Sequence, residues 1–510
     1  MSSFLVFTAV TVAAVATWLI RQSTRKPTLP YPPGPPQKLI VGNALDIPKT
    51  AMLQSHQYAE WSRIYGPLLH LDAMGTHLII INEYNLAVEL LDKRGATYSD
   101  RPHMTMASEL IGWNRPLIMR RYGDPLFKEI RRCFSQLFGT RQAMEGHYAV
   151  FEDEARAFMR RVVEGPERFE QYIHKCAASI AMRILYGYHP NPEGADPVLD
   201  AGSLAMRQAD HVFSTPYLVD ILPWLKYVPA WFPGAGFKKM AAFHRKTVDE
   251  MCELPYRTIM NRIRDGTAEP CFVQRMVEQE GTYTPALEEL TKWAATSAYG
   301  GGIDTTVSSI SAFFLAMTLF PHILLKAREE IDTVIGRDRL PTLADRPRLP
   351  YINAVQREVL RWNPVGPLGV PHATLEDDVY EGYFIPKGSI VIVNIWHILN
   401  TADVYNNPRE FDPDRFISTP ERPAEPDAYR TAFGFGRRTC PGQNLADATM
   451  FLEIALAGAV LDISRARDAN GDEIVPEGKF GDGLLMHPLP YPNVIRARDA
   501  RAEALLQGTL

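Results

Sequence analysis

The chain has 510 residues, 46% of them hydrophobic and 22% charged, with a formal net charge of −5. That composition suits a large globular core, and the mildly acidic balance, with a pI near 6.3, argues against a nucleic-acid binder, which would carry a basic excess. Five cysteines (Cys133, Cys176, Cys252, Cys271 and Cys440), odd in number and widely spaced, fit a reducing compartment better than a disulfide framework.

Residues 4–20 form an uncharged run of 17, with Trp18 near its end and Arg21, Arg25 and Lys26 after it. The run is at the short end for a membrane-spanning helix and long for a signal-peptide core. With no small-residue cleavage site after it, it reads as a retained anchor rather than a cleaved signal, the basic flank placing the following chain in the cytosol. Six prolines within residues 27–36 then predict a stiff extended hinge. From 37 to 500 there is no further linker, repeat or low-complexity tract, so one large domain is expected, followed by a short polar tail at 501–510. Helical periodicity dominates it. Residues 77–82 and 388–394 read as strands and 39–41 as a weaker one, which makes the fold mainly α, α+β overall, with small antiparallel sheets.

Thr284 and Pro285 signal a helix start, supported by Glu288 and Glu289, and Pro321 signals its stop. About 35 helical residues would span roughly 50 Å. In its middle lie Gly300, Gly301 and Gly302, followed by Ile303, Asp304, Thr305 and Thr306. Each glycine costs about 1 kcal/mol in a helix relative to alanine, so something needs the space; close helix packing would be one reason. Further on, Glu358 and Arg361 sit three apart on one helix face. The residues 433–442, Phe-Gly-Phe-Gly-Arg-Arg-Thr-Cys-Pro-Gly, place a lone cysteine behind a glycine-rich, doubly basic loop. Glycines let backbone approach a flat group, arginines suit anions and a thiolate suits a metal. One cofactor, haem, combines a metal with two carboxylates on a flat ring.

This loop resembles the cysteine-ligand loop of cytochromes P450, Phe-x-x-Gly-x-Arg-x-Cys-x-Gly, matching at Phe433, Gly436, Arg438, Cys440 and Gly442. The glycine-broken helix resembles the family's Gly-Gly-x-Asp-Thr-Thr segment, Glu358 to Arg361 its Glu-x-x-Arg pair, and residues 411–416 the stretch whose arginine, Arg415, completes a structural trio. Anchor and proline hinge resemble the front end of microsomal members. The resemblance implies the P450 fold and haem b with Cys440 as the axial thiolate. It implies that the helix bulges at the glycines, with Gly301 and Gly302 leaving room for oxygen. Thr305 would then face the oxygen and Asp304 would relay protons. Arg438, His372 and Arg131 would hold the haem carboxylates; Phe127 stands where the family usually has tryptophan, so an indole N–H donor is replaced by a bare ring.

The same resemblance places substrate contacts around 100–120 (Met104, Met106, Ile111), around 205–245 and on the glycine helix. Residues 228–237 look like those of fungal, especially basidiomycete, P450s of secondary metabolism. The expected reaction is monooxygenation of a lipophilic natural product (a terpenoid first, an indole or polyketide otherwise) at the endoplasmic-reticulum membrane. Electrons would come from NADPH through a separate P450 reductase docking near Lys128, Arg131, Arg132 and Arg437, with cytochrome b5 as a possible second donor. Two other readings share these residues: an isomerase or dehydratase of oxygenated lipids, which needs no reductase, and a haem-bearing sensor without turnover.

Overall fold

The computed structural model describes residues 28–191, 194–278 and 283–509. The apolar run at 4–20 lies outside the described residues. Helices of eight residues or more are α1 (Ala51–Tyr65), α2 (Pro125–Phe138), α3 (Tyr148–Glu164), α4 (Phe169–Tyr186), α5 (Pro197–Ser214), α6 (Gly236–Arg264), α7 (Pro285–Leu319), α8 (Pro321–Val334), α9 (Pro350–Trp362), α10 (Gln443–Val460) and α11 (Ala500–Gln507). The strands are β1 (Leu68–Ala73), β2 (Thr76–Ile81), β3 (His372–Ala373), β4 (Asp378–Tyr380), β5 (Tyr383–Ile385), β6 (Ile390–Val393), β7 (Leu461–Arg465) and β8 (Asn493–Ala497).

The long helix begins and ends as its signals predict. The Thr284 hydroxyl accepts from the Leu287 N–H, capping α7 at its start, and Pro321 opens the next helix. By length and apolarity α7 could cross a membrane, but 72% of its most apolar stretch is buried inside the fold. It is instead the axis of the core. Phe314 packs against Phe169 and Phe158, with ring centroids at 5.3 and 6.2 Å, and the aliphatic face of α10 lies alongside.

Strands form where expected at β2 and β6, with one difference in pairing. The main sheet has the order β1-β2-β6-β3, and β2 and β6 run parallel, Leu78 opposite Ile390. The expectation of antiparallel sheets therefore holds only for the other pairings. Apolar residues occupy both faces of β2 and β6, the pattern of a strand covered on both sides. Residues 39–41 form a turn closed by a single Lys38–Gly42 bridge rather than a strand.

Two boundaries also differ. The proline segment is docked on the domain, because Pro33 accepts from the His70 N–H and Pro30 from the Phe384 N–H. A side chain on Gly34 would collide with the His70 carbonyl. The expected polar tail is α11, capped by Asp499 and seated through the buried Ala502 and Leu506, one helical turn apart.

Asn394 ties these layers together. Its amide donates to the Ser55 carbonyl of α1 and to the Asn82 side chain at 2.8 and 2.9 Å, and its oxygen accepts from the His397 N–H. Replacing it leaves buried partners unsatisfied, at about 2 kcal/mol. Asn394→Ala should lower the thermal unfolding midpoint; a superimposable melting curve would show that these bonds do not hold α1 on the sheet.

Candidate haem-binding site

Cys440 ends a loop that only its glycines permit. The Cys440 N–H returns to the Phe433 carbonyl at 2.8 Å, and between them Gly434 and Gly436 take φ values of 75° and 56°. A Cβ on Gly436 would lie 2.1 Å from the Leu91 carbonyl oxygen, so the loop's backbone is pressed directly on its neighbour. The ring of Phe433 packs on Tyr429, and Gly442 leads into α10. Cys440 lies deep in the fold, where burial pushes its thiol up and the Gly442 N–H and Arg131 pull it back. The other four cysteines are closed in by packing; Cys440 alone keeps an open surface. A sulfur that is enclosed by protein and still accessible faces internal space.

The glycine run of α7 faces similar space. A Cβ on Gly301 would meet no atom within 4 Å, and one on Gly302 would meet only Leu445 at 3.6 Å, five residues beyond Cys440. The run and the cysteine loop therefore converge. Gly300 differs: a Cβ there would strike Met251 at 2.7 Å, so this glycine serves helix packing. The expected bulge is not formed, and α7 is continuous α-helix through 300–306. Thr305 and Thr306 instead donate to the carbonyls of Gly301 and Gly302, at 2.8 and 2.7 Å. The missing side chains make room without breaking the helix. Asp304 is half-buried beside them.

Around the loop the interior is unusually cationic. Buried Arg438 donates to the carbonyls of Ser99 and Arg120 at 2.7 and 2.8 Å and lies 4.0 Å over the Phe127 ring. Phe127 thus gives up the indole donor but keeps a face for the guanidinium to stack on. Arg131 reaches the Thr439 carbonyl at 3.0 Å. His372 donates from Nδ1 to the Tyr98 carbonyl at 2.8 Å, leaving Nε2 as its other pole. Burial and then the charge of Arg101 push this histidine down to about 3. Burial likewise lowers Arg438 to about 10, while Asp100 raises it and Arg131 lowers it further.

Sequence reading missed Arg101. It is buried, donates to the carbonyls of Ile118, Val370 and Pro371, and is pulled well below its usual value by burial and then by Arg438. The available signal was a charged Asp100-Arg101 pair before Pro102, beside apolar neighbours. Arg101 and Arg438 hydrogen-bond to carbonyls rather than to carboxylates; the buried Asp100 offsets part of their charge, and burying the remainder is costly unless a further anion shares the space. A flat metal ring with two carboxylates fits this surplus, the open thiol and the glycine face together.

Support comes from a buried trio. Arg361 Nε lies 2.7 Å from Glu358 Oε2 and Arg415 Nε 3.2 Å from it, all three side chains being at most 1% exposed. Of the expected substrate residues, Met106 and Ile111 are fully buried in the core and Met104 packs against it, within the π-helical segment Thr105–Ile111 and just before it.

Comparison with known proteins identifies the family. The cytochrome P450 family model matches residues 32–489. Cytochrome P450 monooxygenase claR of Ampulloclitocybe clavipes is 42% identical over 503 residues, covering 98% of this chain and 91% of the relative. Cytochrome P450 monooxygenase 208 of Postia placenta is 43% identical, covering 95% and 93%. A zebra fish cytochrome P450 structure with abiraterone shares the fold, with a TM-score of 0.67 at 22% identity over 87% of this chain and all of the other. A family that carries haem b on a cysteine thiolate accounts for the open Cys440, the glycine face and the cationic surround: the chain belongs to the cytochrome P450 family and is a P450 monooxygenase.

Proposed function

We propose that this monooxygenase inserts one oxygen atom from O2 into a lipophilic natural product, a terpenoid in the first instance, with Cys440 as the iron ligand. The observation that carries this reading is the open, deeply placed Cys440 sulfur converging with the glycine face of α7. Bound haem supplies the oxygen activation and redox chemistry. The chain's own residues do the rest. Arg438, Arg131 and Arg101 hold the carboxylates, and His372 offers its Nε2 to them. Gly301, where a side chain would meet no atom within 4 Å, would leave room for the bound group. Thr305, whose proton is committed to the Gly301 carbonyl, presents oxygen lone pairs as an acceptor, and Asp304 passes protons toward it. Glu358, Arg361 and Arg415 keep the loop in register.

Electrons come from NADPH through a separate reductase, with cytochrome b5 as a second donor. Lys128, Arg132 and Arg437 are exposed around the thiolate loop, a basic surface that complements an acidic partner. Arg131, expected with them, instead turns inward to Thr439. Attachment to the endoplasmic-reticulum membrane, catalytic domain in the cytosol, is supported by the apolar run at 4–20 with its basic flank. It is supported also by Trp224, Tyr227, Trp231 and Phe232, which stand 51–81% exposed between α5 and α6.

Cells expressing the chain with a P450 reductase and fed terpenes and indoles under isotopically heavy O2 should release products carrying one heavy oxygen atom. Turnover of a hydroperoxide without NADPH or reductase, and no labelled product, would contradict the reading. Glu358→Ala leaves Arg361 buried without a carboxylate and Arg415 with Glu425 alone, and breaking such a buried pair costs about 3–5 kcal/mol. The variant should therefore be recovered without haem; full haem content would remove the trio from its supporting role.

A further inference from the structure

A second carboxylate meets the cysteine loop from outside the Glu358 trio. The chain enters the loop through the single turn Tyr429–Ala432 and leaves it through Gly442 into α10. Phe433, whose carbonyl receives the Cys440 N–H, packs on Tyr429 with ring centroids 5.2 Å apart. The Tyr429 hydroxyl donates to Asp447 Oδ1 at 2.6 Å. Asp447 stands in the second turn of α10 itself. One carboxylate is thus reached from both ends of the loop. The circuit from Cys440 through Phe433, Tyr429, Asp447 and α10 back to Cys440 is closed.

Asp447 is gripped from two further elements. The guanidinium of Arg346, in the turn Leu343–Arg348, forks onto both of its oxygens, with Nη2 2.7 Å from Oδ1. Arg346 Nε donates to Asn353 Oδ1 at 2.9 Å, and the guanidinium lies 5.1 Å over the Phe451 ring. Gln356 of α9 donates to the Asp447 carbonyl at 2.8 Å and to Oδ1 at 3.3 Å. A bidentate fork fixes the direction of a carboxylate as well as its place. Burial, and then the charge of Asp447, raise the Tyr429 hydroxyl well above its ordinary value, so it stays a donor. Gln356 and Glu358 are two residues apart on α9 yet serve different segments. The Glu358 trio holds the stretch 406–412, whereas Asp447 holds the turn that delivers Phe433. The loop needs such an outside hold, because the positive φ values of Gly434 and Gly436 belong to residues with the fewest backbone restraints of their own.

We propose that Tyr429 and Asp447 are positioning residues of the iron ligand: their hydroxyl–carboxylate bond holds the Phe433 carbonyl on the Cys440 N–H and so keeps the sulfur bound as thiolate. The inference rests on the reading of Cys440 as the ligand. An Arg346–Asp447 pair that merely joined two partly exposed elements would be worth little, and loosening Asp447 would then leave the loop as it was.

Tyr429→Phe keeps the ring against Phe433 and removes only the bond to Asp447. The full-chain holoenzyme variant should bind haem and, reduced and saturated with CO, form the thiolate-type band. That band should convert to the thiol-type one, in which the sulfur has left the iron and taken a proton, about tenfold faster than in the wild type, the weight of one hydrogen bond to a charged group. Asp447→Asn, which keeps the shape and weakens the hold on Tyr429 and Arg346, should convert faster too. Amide deuterium exchange of both holoenzymes should rise across 433–442 and keep the wild-type rate across 406–412, the stretch held by the trio. Conversion at the wild-type rate in Tyr429→Phe, or exchange that is unmoved at 433–442 or raised equally at 406–412, overturns this inference alone. A wild-type protein that never shows the thiolate-type band overturns the reading beneath it, and the inference with it.

Discussion

One buried carboxylate organises the proximal half of the molecule. Glu358 takes two guanidiniums and the Asp412 N–H. Arg361 then reaches the carbonyls of Leu399, Pro408 and Glu410, and Arg415 reaches Asn406 and Glu425. Taking three charges out of water is expensive, and the attraction among them repays that only when the spare donors are used. Here they are spent on backbone carbonyls, and on the Glu425 carboxylate, of the irregular stretch between β6 and the cysteine loop. A stretch with little regular structure thereby acquires one conformation.

That fixed stretch lets the loop spend its own residues on approach rather than stability. Gly436 sits against the Leu91 carbonyl with a backbone that a side chain would not tolerate. Cys440 is left facing space and the arginines converge on it. Arginine suits this work better than lysine, because its planar fork can bond a carbonyl on one edge, stack on Phe127 with its face and still offer a donor to a carboxylate. The cationic interior is an unfavourable state for the polypeptide alone, and the same field suits a dianionic ring.

The sequence carried the local features well. Capping by Thr284 and termination at Pro321 bounded α7 to within a residue, since both signals act through neighbouring backbone groups. The cysteine loop and its glycines were legible for the same reason. Non-local facts were not. Nothing near Leu78 announces a parallel partner at Ile390, more than three hundred residues away. The docking of the proline segment depends on His70 and Phe384, which its own composition does not mention. The tail looked polar because only Ala502 and Leu506 turn inward. Arg101 escaped because a buried arginine and a surface one look alike until the fold encloses them, and the bulge expected at the glycines gave way to threonine hydroxyls that satisfy the helix from within.

The central claim is that Cys440 holds haem as its thiolate, inside a cationic site built for two carboxylates. The most direct measurement is the absorbance of the purified protein, reduced and saturated with CO, beside Cys440→Ala. The wild type should show the strongly red-shifted thiolate-type band, and the variant should lose it. A wild type that binds haem without that band, or a variant that retains it, would mean that Cys440 is not the ligand.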